Sequence, residues 1–126
     1  MEYKYSKNFN PPAPVIELSV STPLPYSSTS SIALVDSGAD ITVIPEQIIS
    51  RLKLRRVDFM LASGFGEGVS EAIVYSAALS IEGISEPLVY RVLSWSEDYA
   101  LVGRDLLNKF IAVLNGLSQE LSLREV

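Results

Sequence analysis

The chain has 126 residues, 48% hydrophobic and 20% charged, a net charge of −5, and neither Cys nor His. That length suits one domain around one core, and the composition is that of a globular protein. Without His or Cys, the chain cannot supply Ser-His-Asp or Cys-His catalysis or a Cys/His zinc site, and its acidity argues against nucleic acid or anionic membrane as a partner.

Residues 1–14 are expected to form a flexible N-terminal arm, because Pro11, Pro12 and Pro14 interrupt regular structure. The arm has lysines but no apolar stretch of signal-peptide type, so a cytoplasmic location is the expectation. Residues 15–126 are read as the folded domain. In the run from Val15 to Ser21, Ile16, Leu18 and Val20 alternate with polar residues, which predicts a half-buried strand. Prolines and serines then mark a loop. Ile32 to Val35 is continuously apolar and suits a strand buried on both faces. Ile41 to Ile44 predicts a further strand. Pro45-Glu46 opens a short helix with Ile48, Ile49 and Leu52 on its apolar face.

Leu54 to Ala62 and Val69 to Ile81 predict two strands joined through a glycine-rich tip, Ser63 to Gly68. Leu88 to Trp95 returns as another strand, in which Trp95 reads as a packing residue. Ser96-Glu97-Asp98 reads as a solvated turn rather than a metal site. Tyr99 to Gly103 is an apolar strand, and Asp105 to Phe110 a short helix. Asn115-Gly116 predicts a hairpin with a type I′ turn between Ile111–Leu114 and Leu117–Leu123. The fold class expected is all-β: a small closed or partly open barrel with one or two short helices.

One stretch carries chemistry. Ile32 to Val35 delivers a carboxylate, Asp36, into the turn Ser37-Gly38-Ala39, and Asp40 follows. A carboxylate at the end of a buried strand costs free energy unless something pairs with it or uses it. By itself Asp36 could be a turn residue capping backbone amides. An Asp-[Ser/Thr]-Gly-[Ala/Ser] tetrapeptide arises by chance in about one chain in a hundred of this length. Its apolar flanks and the downstream Leu101-Val102-Gly103-Arg104-Asp105 make the combination much rarer.

Together these motifs, with the glycine-rich Gly64-Phe65-Gly66-Glu67-Gly68 between them, resemble the retropepsin-like aspartic proteases. The resemblance covers about residues 15 to 115. It implies an acid-protease barrel with a flap hairpin, and an aspartic endopeptidase needing no cofactor and no metal. Asp36 would be the catalytic aspartate, with Ser37, Gly38 and Arg104 supporting the active loop. Arg104 would pair with Asp40, and Ser37 would brace one subunit against the other. Gly38, Ala39 and Asp40 would contact the substrate main chain, and Gly64, Phe65 and Gly66 would cover it.

Only one Asp per chain has this context, so a two-carboxylate mechanism requires a homodimer with Asp36 of each chain near a two-fold axis. The substrate would be an extended peptide or unfolded protein, cleaved at mildly acidic pH. In compact viral members the terminal strands build the dimer sheet, so Leu117, Leu121 and Leu123 are candidates for the interface. The alternative is a catalytically inactive peptide-binding or dimerisation module of the same fold.

Overall fold

The computed structural model describes residues 1–23, 27–63 and 68–125. In chain order the strands are β1 (Glu2–Lys4), β2 (Val15–Ser21), β3 (Ser28–Val35) and β4 (Val43–Pro45). Helix α1 (Glu46–Leu52) comes next, then β5 (Arg55–Ser63), β6 (Val69–Ile81), β7 (Leu88–Trp95) and β8 (Ala100–Val102). Helix α2 (Arg104–Leu107) leads to β9 (Ile111–Asn115) and β10 (Glu120–Arg124). The larger sheet has the order β2-β3-β8-β4-β7-β6-β5, and β2 also pairs with β6. That second pairing closes six strands into a barrel and leaves β5 outside it, where β6 is its one strand partner among the described residues. The expected all-β barrel is the observed architecture.

Ile32 to Val35 was expected to be buried on both faces, but within it only Ala33 is fully buried: Ile32 is 51% exposed, and Leu34 and Val35 are half-buried, because one face of β3 lies on the core and the other does not. The strands buried on both faces are β4 and β8. Along β8, Ala100 and Val102 join the main core, while Leu101 points into a second, smaller cluster. Along β4 and β7, Ile44 and Val92 face the main core, and Val43 and Leu93 the second cluster. Alternation along a strand makes this division, because neighbouring side chains leave opposite faces. The main core is filled by Ile16, Leu18, Leu79, Ile81, Leu106 and others that are almost fully buried. Burying each such side chain contributes about 1.5–3 kcal/mol. The second cluster lies at the open end beneath Met60, Ala62 and Ala72 of the β5–β6 hairpin.

Two further parts of the chain differ from the sequence expectation. The N-terminal arm is not free. β1 pairs antiparallel with β10, Glu2 opposite Ser122, and the Met1 ammonium donates to the Leu123 carbonyl at 2.7 Å. Tyr3 and Tyr5 pack on the main core, and Ser6 bridges to Ala13. The prolines restrict the residues after β1 but place no limit on β1 itself, and a terminus docked on a sheet is held in place.

The second difference is the β9–β10 hairpin. Asn115 pairs with Glu120, so four residues rather than two make the turn. The Asn115 side chain accepts from the amides of Leu117 and Ser118, both at 3.1 Å, and Gln119 takes the positive φ of 55° that the type I′ turn would have placed at Gly116. The asparagine side chain has captured the amides that a tight turn would have arranged differently. Leu121 and Leu123 are fully buried within their own chain, and Leu117 is fully exposed at the turn. Leu121 and Leu123 therefore belong to the core and cannot lie on a dimer surface.

Leu121→Ala should lower stability by about 2–5 kcal/mol in denaturant unfolding, as cavity-forming core substitutions do. Leu117→Ala should change it by less than about 0.5 kcal/mol. Equal effects would contradict this assignment of the two leucines.

Candidate active site

The site forms where two parallel strands end together. β3 and β8 pair in parallel, with Val35 opposite Val102. Both chain segments therefore leave the barrel at the same edge, Asp36 after β3 and Gly103-Arg104 after β8. β4 lies on the far side of β8, so the loop from Asp36 to Thr42 must pass over the end of β8. Segments more than sixty residues apart are thus stacked against each other.

Backbone and side-chain bonds fix this crossing. The Asp36 amide donates to the Val102 carbonyl at 3.0 Å, and the Arg104 amide donates to the Ala39 carbonyl at 2.8 Å. One nitrogen of the Arg104 guanidinium donates to the Ser37 carbonyl at 2.7 Å, and the other pairs with the Asp40 carboxylate. The pairing of Arg104 with Asp40 that the resemblance implied is present. A Cβ at position 103 would sit 2.9 Å from the Ala39 carbonyl oxygen and 2.9 Å from the Ile41 carbonyl carbon, so only glycine lets the two segments touch.

Asp36 is partly buried, and its carboxylate accepts from the Gly38 amide at 2.8 Å. A Cβ at Gly38 would lie 3.1 Å from that same oxygen. Gly38 therefore serves close approach; its φ is not in the left-handed region. The carboxylate opens into a cavity of about 340 Å³. Gly38, Ala39 and Asp40 line one side; Val43, Met60, Leu93, Trp95 and Leu101 make an apolar wall opposite. Such a cavity, apolar with a few convergent polar groups, is the usual form of a ligand site. Asp36 and Asp40 are its two carboxylates among the described residues, and Asp40 already has Arg104 as its partner.

Several contributors were not anticipated. Thr42 is fully buried, and its hydroxyl donates to Asp105 at 2.8 Å while its amide donates to the other oxygen of the same carboxylate at 3.0 Å. The Thr42 hydroxyl also accepts from the Gly103 amide at 3.2 Å. A threonine between Ile41 and Val43 in an apolar run was the available signal, since a buried hydroxyl demands a partner.

Trp95 is more than a packing residue: it lines the cavity, and its indole N–H donates to the Tyr99 carbonyl at 2.7 Å. The Tyr99 ring meets Trp95 edge-on at 5.3 Å and Phe9 edge-on at 5.0 Å. Burial first, then the Glu97 and Asp98 carboxylates, raise the pKa of the Tyr99 phenol above its ordinary value. Among the described residues no acidic cluster could hold a metal ion. Gly64, Phe65 and Gly66 lie outside the described residues. The stem that carries them is described, and Met60, Leu61, Ala62 and Ser63 border the cavity.

A family model described as retroviral aspartyl protease matches residues 11–115. No curated protein sequence matches the chain. Among solved structures, the chain is similar to the simian foamy virus (mac) protease, at 24% identity and a TM-score of 0.56 over 75% of this chain and 91% of that one. The EIAV protease complexed with the inhibitor HBY-793 aligns at 22% identity and a TM-score of 0.56, over 84% and 92%. A retropepsin-like aspartic protease from Rickettsia conorii aligns at 15% identity and a TM-score of 0.60, over 98% and 88%. These likenesses show a shared fold.

Thr42→Val should cost about 1–3 kcal/mol, because it strands part of the Asp105 carboxylate and the Gly103 amide. Chemical denaturation would measure it. A loss below about 0.5 kcal/mol would mean that the Thr42 hydroxyl does little to hold the crossing.

Proposed function

Because this chain belongs to the retroviral aspartyl protease family, we propose that it is an aspartic endopeptidase whose dyad is assembled from Asp36 of two identical subunits. The observation that carries the reading is the placement of Asp36. Its carboxylate is anchored by the Gly38 amide, partly withdrawn from solvent, and opens into an apolar cavity. Asp40 cannot serve as the second acid, since Arg104 engages it and its side chain is 80% exposed. The missing carboxylate has to come from a second copy.

In the dimer the two Asp36 carboxylates share one proton, because neighbouring like charges disfavour double ionisation. The ionised member takes a proton from a water held between them, and the resulting hydroxide attacks the scissile carbonyl carbon. The protonated member gives its proton to the carbonyl oxygen, producing a tetrahedral diol. Collapse of the diol breaks the C–N bond as a proton passes to the leaving nitrogen, and the dyad returns to its starting protonation. Ser37, on the exposed side of the loop, braces the partner's loop through its hydroxyl. Gly38, Ala39 and Asp40 meet the backbone of an extended peptide. Val43, Met60, Leu93 and Trp95 receive a large apolar side chain next to the cut. Gly64, Phe65 and Gly66, between β5 and β6 in the sequence, take the role that the resemblance implies for them, covering the bound strand and excluding water.

Cleavage of an unstructured peptide library from about pH 3.5 to about pH 7.5 tests this, with wild type beside Asp36→Asn. Wild type should cut after or before large apolar residues, with activity peaking at mildly acidic pH and falling on both sides. Asp36→Asn should lose at least about 100-fold while keeping its fold. A folded, dimeric wild type that binds peptides without cutting them would be an inactive binding module. Equal cutting by both proteins would place the chemistry on another residue.

A further inference from the structure

We infer that Phe9 is a positioning residue for the cavity beside Asp36: carried by the N-terminal arm, it holds Tyr99, and through it Trp95, in the shape that takes a large apolar side chain. The apolar side chain as ligand rests on the peptidase reading above; the hold of the arm on Trp95 does not. The arm does more than dock. β1, with Tyr3 and Tyr5 on the main core, already fixes the terminus. Residues 6–13 then make a separate loop. The Ser6 amide donates to the Ala13 carbonyl at 2.8 Å, and the Ala13 amide to the Ser6 carbonyl at 3.1 Å. Both flanks of the loop are tied down. The Tyr5 amide donates to the Gln119 carbonyl at 2.9 Å, and the Val35 amide, one residue before Asp36, donates to the Pro14 carbonyl at 3.0 Å. From Lys7 to Pro11, Phe9 alone is partly withdrawn from solvent; Lys7, Asn8, Asn10 and Pro11 are exposed.

The Phe9 ring meets Tyr99 at 5.0 Å and 88°, and the Tyr99 ring meets Trp95 at 5.3 Å and 73°. Both contacts have the edge-to-face geometry that ring quadrupoles favour. Tyr99 therefore sits between the arm and the cavity wall. It holds Trp95 twice, by its ring and by its carbonyl, which accepts from the indole N–H at 2.7 Å. Trp95 packs against the second apolar cluster and stands in the cavity wall with Leu93 and Leu101. Among the described residues, the two apolar clusters contain neither Phe9 nor Tyr99. Removing the Phe9 ring thus frees one side of Tyr99 and takes nothing from the main core. A wall fixed before the ligand arrives loses less freedom on binding, which is why a remote ring can tighten a site it does not touch.

The single tryptophan supplies one indole N–H signal, which tests the hold directly. Wild type, Phe9→Ala, Phe9→Tyr and Lys7→Ala are compared by NMR, each shown folded by thermal melting. Exchange of the indole proton with solvent should be at least about threefold faster in Phe9→Ala than in wild type. Phe9→Tyr keeps the ring and should exchange like wild type. Lys7→Ala, an exposed change in the same loop, should do the same. Exchange in Phe9→Ala at the wild-type rate would overturn the inference, and so would an equal rise in Lys7→Ala.

Peptide binding tests the consequence, with Asp36→Asn added to each protein so that nothing is cut. The probes are two labelled, unstructured peptides that differ at one central residue, Phe or Ala. Phe9→Ala should bind the Phe peptide about 3- to 10-fold more weakly and the Ala peptide unchanged. Phe9→Tyr should recover the preference. With Asp36 intact, the same loss should be a higher KM for the Phe peptide at unchanged kcat. Equal weakening for both peptides, or none for either, would reject the positioning role. Cleavage separates the two ideas. A protein that never cuts, yet loses its preference for the Phe peptide with the Phe9 ring, removes the peptidase reading alone. One that cuts with the same preference in Phe9→Ala as in wild type removes this inference alone.

Discussion

Parallel pairing of β3 with β8 obliges two distant segments to leave the barrel side by side, and the loop bearing Asp36 can reach β4 only by crossing the end of β8. Everything special about the site answers to that crossing. Gly103 provides the room, since any side chain would strike the Ala39 and Ile41 backbone. Arg104 clasps the near side of the loop through Ser37 and Asp40, and Asp105 clasps the far side through Thr42. Consecutive residues thus hold both ends of one loop. The buried half of this clasp does most to fix geometry, because Thr42 is shut off from water whereas the Arg104–Asp40 pair is exposed and screened.

The barrel keeps stability and chemistry apart. The main core is large and made of fully buried Ile, Leu and Val side chains from almost every element. The second cluster is small, centred on Val43, Val74, Leu93 and Leu101, and lies under the hairpin stem where the cavity opens. Strand alternation permits this separation, with neighbouring residues on β4, β7 and β8 serving the two clusters in turn. The shape of the cavity wall can therefore vary at one face of these strands while the residues that hold the barrel closed stay on the other.

Much of this was legible in the sequence, for definable reasons. Period-two alternation and short continuous apolar runs marked the strands, and Pro45-Glu46 with Ile48, Ile49 and Leu52 marked α1, although the run Ile32 to Val35 is covered on one face only. The Asp36 loop and the Leu-Val-Gly-Arg-Asp motif could be matched separately, and their meeting through Arg104 and Asp40 came from the resemblance. The features that were not legible depend on long-range pairing. Local pattern cannot say that Tyr3 and Tyr5 will dock or that β1 will find Ser122. Nor can it say that Asn115 will take two amides for its side chain and so lengthen the turn. Leu121 and Leu123 looked like interface residues because their strand is terminal; their burial is set by β1 and the main core, which no local window contains. Thr42 was overlooked because a threonine in an apolar run scores as a strand former before it scores as a hydroxyl needing a partner.

The cavity wall has an optical side. Trp95 is the only tryptophan in the chain, and it borders the same cavity as the Asp36 carboxylate. Its indole N–H is already committed to the Tyr99 carbonyl, and the Tyr99 ring rests against both Trp95 and Phe9. All indole emission from the protein therefore originates beside the Asp36 loop. The unlabelled molecule carries its own fluorescent gauge of whether that cleft is wet, filled or repacked, and the segment holding Phe9 is within one ring of the signal.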